Sequence, residues 1–516
     1  MRHACVLTLM ALFFFYATPT LAGQYDRNGI RDLITLGLEV NLGLQLENLD
    51  VAKGKEAIEQ ERSVFDSTFF AVAEYKRSVF PYDSTMSLSS ESRSEDFSGQ
   101  MGLRKQFKTG LMSSVSLDSQ WLSDNESSEN LDPRYRTALV LELSQPLLQN
   151  FGTAVNTTLL NVSKNKERQA VLNYLLSAQN LILQLEVAAR QLAEKAEIIK
   201  LRQQSLALSH ELYAANQKRF KAGVIAVTEI QEAETEVAAR QLALSLAIQE
   251  QDLLKEDINR QLNQDLPEDF NPEDLVDFEE GIKPLTLPLL EDLVETAQRQ
   301  RLELKISDFS IQSSSLQQDY LRNQLKPQLD LNLQFGLNGL SGDKRTSTPR
   351  GEYSGHWLDS FAGASEADGY RWQAGFELTM PIGNRAAKSR YRQAKLQLRQ
   401  DRYRYKDLES IIRNDLLQQQ INISQTRKQL EITERVEALA KKSLDQEQRR
   451  LQEGLSDTFR IIIFQQRMVE AMVDRVNAFT RYHLALAQMD FALGHTFKRH
   501  HIVLRNNTEE LTLENI

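Results

Sequence analysis

Two periodicities divide this chain. Leu329, Leu331, Leu333, Phe335 and Leu337 alternate with Asp330, Asn332, Gln334, Gly336 and Asn338. Tyr370, Trp372, Ala374, Phe376, Leu378 and Met380 alternate in the same way with polar or small neighbours. Period two predicts strands with one apolar and one polar face. Runs of about 10 residues are the length a tilted strand needs to cross a bilayer. A half-buried strand of a soluble sheet alternates identically. Earlier in the chain, Phe65–Lys76 and Tyr135–Gln145 are the corresponding pair. Between them lie Phe97–Phe107 and Leu111–Trp121, joined by the short turn Lys108-Thr109-Gly110. This hairpin either adds two strands to the sheet or stands outside it; the alternation of Met101, Leu103 and Phe107 with polar neighbours favours the sheet.

Elsewhere the pattern is helical. From Thr153 to Leu266 there is no proline and a single glycine, Gly223. After Asn384 the only glycine before Gly494 is Gly454. Proline is the strongest interior helix breaker, and glycine the commonest residue at a left-handed helix stop. The pattern therefore predicts very long helices that reverse near Gly223 and Gly454. Thr228 or a near neighbour is expected to cap the first outgoing helix, with Glu229 suited to its positive first turn.

The plan occurs twice. Leu141-Glu142-Leu143-Ser144-Gln145-Pro146 reads like Phe376-Glu377-Leu378-Thr379-Met380-Pro381. From proline to tip glycine the runs are 77 and 73 residues, and the return runs to Asn263 and Gly494 are 40 each. Each copy opens with a shorter helical segment. The first repeat is thus expected over 23–264, with a helix at 30–64, strands within 65–145, a long helix at 147–221, a tip near 223 and a return helix at 225–263. The second is expected over 289–494, with a helix at 289–325, strands within 328–380, a long helix at 384–452, a tip near 454 and a return helix at 456–493. Two short helices end to end match one long helix, which predicts a rod of paired helices.

Met1–Ala22 has the form of a signal peptide: Arg2, an apolar run at Val6–Ala17, and Thr20-Leu21-Ala22 before Gly23. Cys5, the one cysteine, lies within it, so no disulfide or cysteine metal site is expected. A net charge of −10 gives no electrostatic case for nucleic acid. No later run reaches ~20 apolar residues, so no transmembrane helix is expected, whereas a β-barrel stays open. The segment 265–288 is acidic and carries four prolines, a solvated linker. In the tail, 495–516, His495, His500 and His501 lack an acid or cysteine at ligand spacing, so no metal or other cofactor is assigned. No phosphate loop, nucleophile elbow or His-Glu-x-x-His occurs, so no enzyme is expected.

Taken together, the layout resembles the TolC-type outer membrane efflux proteins. The resemblance rests on the order helix, strands, long helix, glycine turn and return helix in two copies. It rests also on Arg219-Phe220-Lys221-Ala222-Gly223-Val224 with Thr228-Glu229, and on Arg450-Leu451-Gln452-Glu453-Gly454-Leu455. It implies an α+β membrane protein in the outer membrane of a Gram-negative bacterium: a homotrimeric β-barrel continued by a coiled-coil-like helical tunnel across the periplasm. It also implies partners, namely a periplasmic adaptor and, through it, an inner membrane transporter. By the same resemblance Pro146 and Pro381 mark barrel-to-helix junctions. Gly223, Val224, Gly454 and Leu455 become the adaptor-facing tips. The family narrows its entrance with two aspartates three residues apart. The matching positions here are Arg460 and Ile463, with Asp457 out of register, so Asp457 and Arg460 are the candidate entrance lining and an acidic ring is not implied.

Three functions fit this reading: a passive exit duct for small molecules in a tripartite efflux system, the outer membrane component of type I protein secretion, and a structural or adhesive periplasmic coiled-coil rod.

Overall fold

A computed structural model describes residues 29–81, 91–125, 131–267, 270–279, 287–344, 353–367, 369–502, 505–506 and 509–510. The expected signal peptide lies outside the described residues. In chain order the elements are α1 (Gly29–Val40), α2 (Leu42–Arg62), β1 (Ser67–Pro81), β2 (Glu91–Gln106), β3 (Met112–Asp124), β4 (Leu131–Pro146), α3 (Thr153–Asn156), α4 (Thr158–Lys221) and α5 (Val227–Leu262). The second half follows with α6 (Leu290–Gln300), α7 (Leu302–Asn323), β5 (Gln328–Lys344), α8 (Trp357–Ser365), β6 (Gly369–Thr379), α9 (Arg385–Gln452), α10 (Thr458–Ala492) and α11 (Thr496–His500). The chain divides into two compact units. One comprises 42–180, 287–421 and 489–516; the other comprises 1–41, 181–286 and 422–488.

The first of these units holds a six-stranded antiparallel sheet in the order β1-β2-β3-β4-β5-β6. The hairpin of Phe97–Trp121 belongs to that sheet: β2 pairs with β1 through Phe69↔Leu103, and β3 pairs with β4 through Leu117↔Leu139. The strands are longer than the alternation predicts, because residues 76–81 of β1 and 91–96 of β2 continue the ladder from Tyr75↔Phe97 to Pro81↔Glu91. Below the sheet, α2, α4, α7 and α9 lie side by side. A Cβ on Gly54 of α2 would meet the Glu167 backbone of α4. Asn165 Nδ2 of α4 donates to Ser313 Oγ of α7 at 3.2 Å, and Ser314 Oγ of α7 donates to Asp401 Oδ2 of α9 at 2.6 Å.

The long helix expected from residue 147 begins at Thr158, after the single turn α3. Residues beyond Pro146 stay with the sheet: Leu147 N–H donates to Leu329 O at 2.7 Å and Gln149 N–H to Pro327 O. Asn150 then turns at φ 61° and Gly152 at φ 97°, and a helix cannot start until that reversal is complete.

Each opening helix is broken where one continuous helix is expected. At 30–64 the break is Asn41, in the second unit. At 289–325 it is Arg301, in the first. Both side chains reach the end of a returning helix: Asn41 Nδ2 donates to Gln261 O at 2.7 Å, and Arg301 Nη1 to Ala492 O at 3.1 Å. The last carbonyls of a helix have no internal partner, and the break supplies one. Buried apolar residues of the second unit include Leu185, Leu192, Ile258, Leu262, Val476 and Phe479.

Candidate functional site

Both tips close by the same local geometry. Gly223 has φ 73° and Gly454 φ 72°. Val224 N–H donates to Arg219 O at 3.0 Å and Gly223 N–H to Phe220 O at 2.8 Å; Leu455 N–H donates to Arg450 O at 2.8 Å and Gly454 N–H to Leu451 O at 3.1 Å. These paired bonds define the Schellman stop, which requires a left-handed residue between them. The residue after each glycine is left bare: Val224 is 64% exposed and Leu455 63%. Phe220, Val227 and Phe459 are exposed beside them, so apolar surface is concentrated at the turns.

The cap positions of the outgoing helices lie three residues after the glycines, and they differ. In the first repeat the cap position is Ala226, with no side-chain cap, and α5 begins at Val227. Thr228 therefore lies inside the helix and does not cap it. In the second repeat Asp457 occupies the equivalent position, and its Oδ1 accepts the Arg460 N–H at 2.9 Å. Arg460 also lies 3.9 Å from Asp457 in an exposed ion pair. The two candidate lining residues are thus a cap and its partner.

A buried polar group joins the repeats at the tips. Thr458, fully buried, donates from Oγ1 to Glu229 Oε2 at 2.9 Å, and Asn216 Nδ2, 1% exposed, donates to Thr458 Oγ1 at 3.2 Å. Asn216 Nδ2 also lies 3.4 Å from Glu229 O. Glu447, 4% exposed, accepts from Ser456 Oγ and pairs with Arg450 at 3.2 Å. Sequence reading missed this group, because Asn216 and Thr458 stand 242 residues apart and neither belongs to a motif.

The sheet has two unlike faces. On one, Phe69, Met101, Leu103, Leu139, Phe335, Trp372, Phe376 and Leu378 are exposed. The register sets Tyr75, Phe97, Trp121 and Tyr135 side by side across four strands of that face. The next pair outward, Arg77 and Glu95, is ionic at 3.4 Å. An apolar band ending in an aromatic row and then charge is the pattern of a strand surface that meets lipid and then the membrane interface. The opposite face carries Gln120→Asp96 at 2.8 Å, Gln334→Glu142 at 2.8 Å and the Arg134–Asp124 pair at 2.6 Å.

The connection between β5 and β6 contains α8. His356 N–H donates to Asp359 Oδ2 at 2.6 Å, closing its first turn. Thr137 and Ser360 hydroxyls meet at 2.7 Å, and Trp357 Nε1 donates to Ser119 Oγ at 2.8 Å. A Cβ on Gly339 would fall well inside contact distance of Ser360 O and Ala364 N, so the helix rests on strand backbone. Ser119, Thr137 and Gly339 share the face of the aromatic row. Of the two prolines expected at the junctions, Pro146 is the last residue of β4, opposite Asp330, and Pro381 is exposed just beyond β6.

No family model matches the sequence, and no curated protein matches it. Solved structures do. The Campylobacter jejuni CmeC outer membrane channel aligns with TM-score 0.63 at 15% identity, covering 91% of this chain and 86% of that one. The Neisseria gonorrhoeae MtrE outer membrane channel, in its open state, aligns with TM-score 0.62 at 16% identity over 92% and 90%. The Vibrio cholerae outer membrane protein VceC aligns with TM-score 0.61 at 13% identity over 90% and 96%. The chain has the fold of TolC-type outer membrane channels.

Proposed function

We propose that this protein is the outer membrane channel of a tripartite efflux system. Three copies close their sheets edge to edge into one barrel, apolar face to lipid and polar face to water. Six strands per copy make eighteen, an even number that antiparallel closure of equivalent subunits accommodates. The helices continue the duct through the periplasm, where Gly223, Val224, Gly454 and Leu455 meet an adaptor that carries an inner membrane transporter. The exit path is passive.

The observation that carries this reading is the two-faced sheet, with its exposed apolar band bounded by Tyr75, Phe97, Trp121 and Tyr135. A coiled-coil rod has no need of such a surface. Reconstitution into planar bilayers tests the reading. Discrete, long-lived conductance steps from outer membrane fractions are expected; absence of conductance from correctly assembled trimer would refute the duct.

A further inference from the structure

The first 22 residues of α9, Arg385–Lys406, hold nine cations and one acid, Asp401, in a chain of net charge −10. Seven of the cations, Arg385, Lys388, Arg392, Lys395, Arg399, Arg402 and Lys406, follow one another at alternating steps of three and four. On a helix that spacing makes one stripe. All seven are exposed. None forms an ion pair among the described residues; Lys388 Nζ bonds Gly383 O at 2.9 Å, and Arg399 lies against Tyr403. The start of α4 in the first repeat has only Lys164, Lys166 and Arg168 beside Glu167. The architecture therefore does not itself demand the stripe.

Chain handedness sets the side the stripe faces. Take the apolar sheet face toward an observer, with the helices below. On a descending strand of L-residues, those pointing at the observer aim their N–H to the left. Leu147 continues β4 on the apolar parity and donates to Leu329, so β5 lies left of β4, and β6 left of β5. α9 descends from β6 with α7 on its right, at the seam of Leu398 and Asp401. Residues of a descending right-handed helix advance clockwise seen from the sheet, and the stripe sits roughly 100° clockwise of that seam at about 100° per residue. It faces the observer, on the same side as the apolar band. Farther along, the same stripe passes under α6: Glu409 bonds Gln298, Arg413 bonds Glu291 and Gln420 bonds Pro288 O. Only the part up to Lys406 is bare.

We propose that this stripe is a binding surface for the carboxylate-bearing cell-wall glycopeptide of the periplasm. The inference rests on the proposed orientation, with the apolar face outward. Lipid phosphates are the competing anions, and length decides between them. Arg385 to Lys406 spans about 32 Å of helix, whereas the headgroup layer on one side of a bilayer is only about 5–8 Å deep. A cation every ~5 Å along a rigid rod matches an extended polyanion.

Full-length protein in detergent is co-sedimented with purified, insoluble peptidoglycan. Binding is expected at 0.1 M salt and its loss at 0.5 M, as the Debye length shortens. The triple variant Arg392→Gln, Lys395→Gln, Arg399→Gln is expected to weaken binding about tenfold or more, and the charge-keeping variant Arg392→Lys, Lys395→Arg, Arg399→Lys to retain it. Helicity by circular dichroism checks that each variant is folded. A folded glutamine variant that pellets like wild type overturns the proposal. So does a variant that sheds bound anionic phospholipid in native mass spectrometry yet keeps its wall binding. Conductance is measured in parallel: its absence in wild type counts against the duct, whereas the pelleting result alone judges the stripe.

Discussion

Replacing Thr458 by valine isolates the buried group that joins the two tips. Valine matches threonine in shape, so packing is nearly conserved and the hydroxyl alone is removed. Thr458 Oγ1 is the donor to Glu229 Oε2 at 2.9 Å and the acceptor from Asn216 Nδ2 at 3.2 Å. Asn216 retains only the longer 3.4 Å contact to Glu229 O, and it is 1% exposed, so water cannot replace the lost partner without local opening. A bond to a charged group contributes about 1.5–3 kcal/mol, and an unsatisfied buried donor costs about 1–3 kcal/mol. These overlap in one site, so the expected loss is about 1–3 kcal/mol in total. Amide hydrogen exchange reads this locally. At tenfold per 1.4 kcal/mol, exchange at the end of α4 and at the starts of α5 and α10 is expected to quicken about 5- to 150-fold, with the sheet amides unchanged. Thr458→Ser keeps the hydroxyl and is expected to fall near wild type. If Thr458→Val leaves tip exchange as it was, or if Thr458→Ser is as damaging, the polar group does not hold the hairpins together.

Gly223→Val and Gly454→Val meet no steric neighbour within 4 Å, so their cost is backbone strain at positive φ, of order 1–2 kcal/mol. Trimer on native gels is expected to survive while crosslinking to an adaptor from a cysteine at Val224 or Leu455 drops; persistence of the crosslink at full yield would sink the docking site. Gly339→Ala drives a methyl into the backbone of α8, and overpacking of that kind typically costs 1–3 kcal/mol. A red shift and stronger quenching of tryptophan fluorescence, absent when Trp357 is replaced, is the expected sign that the helix has lifted from the sheet. Burial raises the Glu194 carboxyl above its ordinary value, opposed by the Thr480 hydrogen bond and by Lys195 and Arg481. The folded state then holds the proton to higher pH than the unfolded state, so stability declines as pH rises from the ordinary carboxylate value through the raised one. Glu194→Gln is expected to flatten thermal stability across that window, and an unchanged profile would show the burial penalty to be fully offset.

How much of this was legible in the residues alone depends on how local the cause is. The strand alternation, the long glycine-free runs and the turns at Gly223 and Gly454 arise from φ preferences and from the period of one element, and those are written in neighbouring residues. So is the duplication, which matched spacings reveal without any contact. The breaks at Asn41 and Arg301 were not legible, because each depends on a carbonyl at the far end of a returning helix, Gln261 O and Ala492 O. Nor was the late start of α4, since Leu147 and Gln149 are held by β5 and the residues before it rather than by their own preferences. Alternation showed that Tyr75, Phe97, Trp121 and Tyr135 each sit on an apolar face; only the register of four strands sets them in one row. The place of β2 and β3 in the sheet, the seat of α8 on Gly339, and the meeting of Asn216, Glu229 and Thr458 are likewise decisions of the tertiary structure. Each joins groups far apart along the chain, and no local preference encodes which distant partner will satisfy a buried donor or fill the space above a glycine.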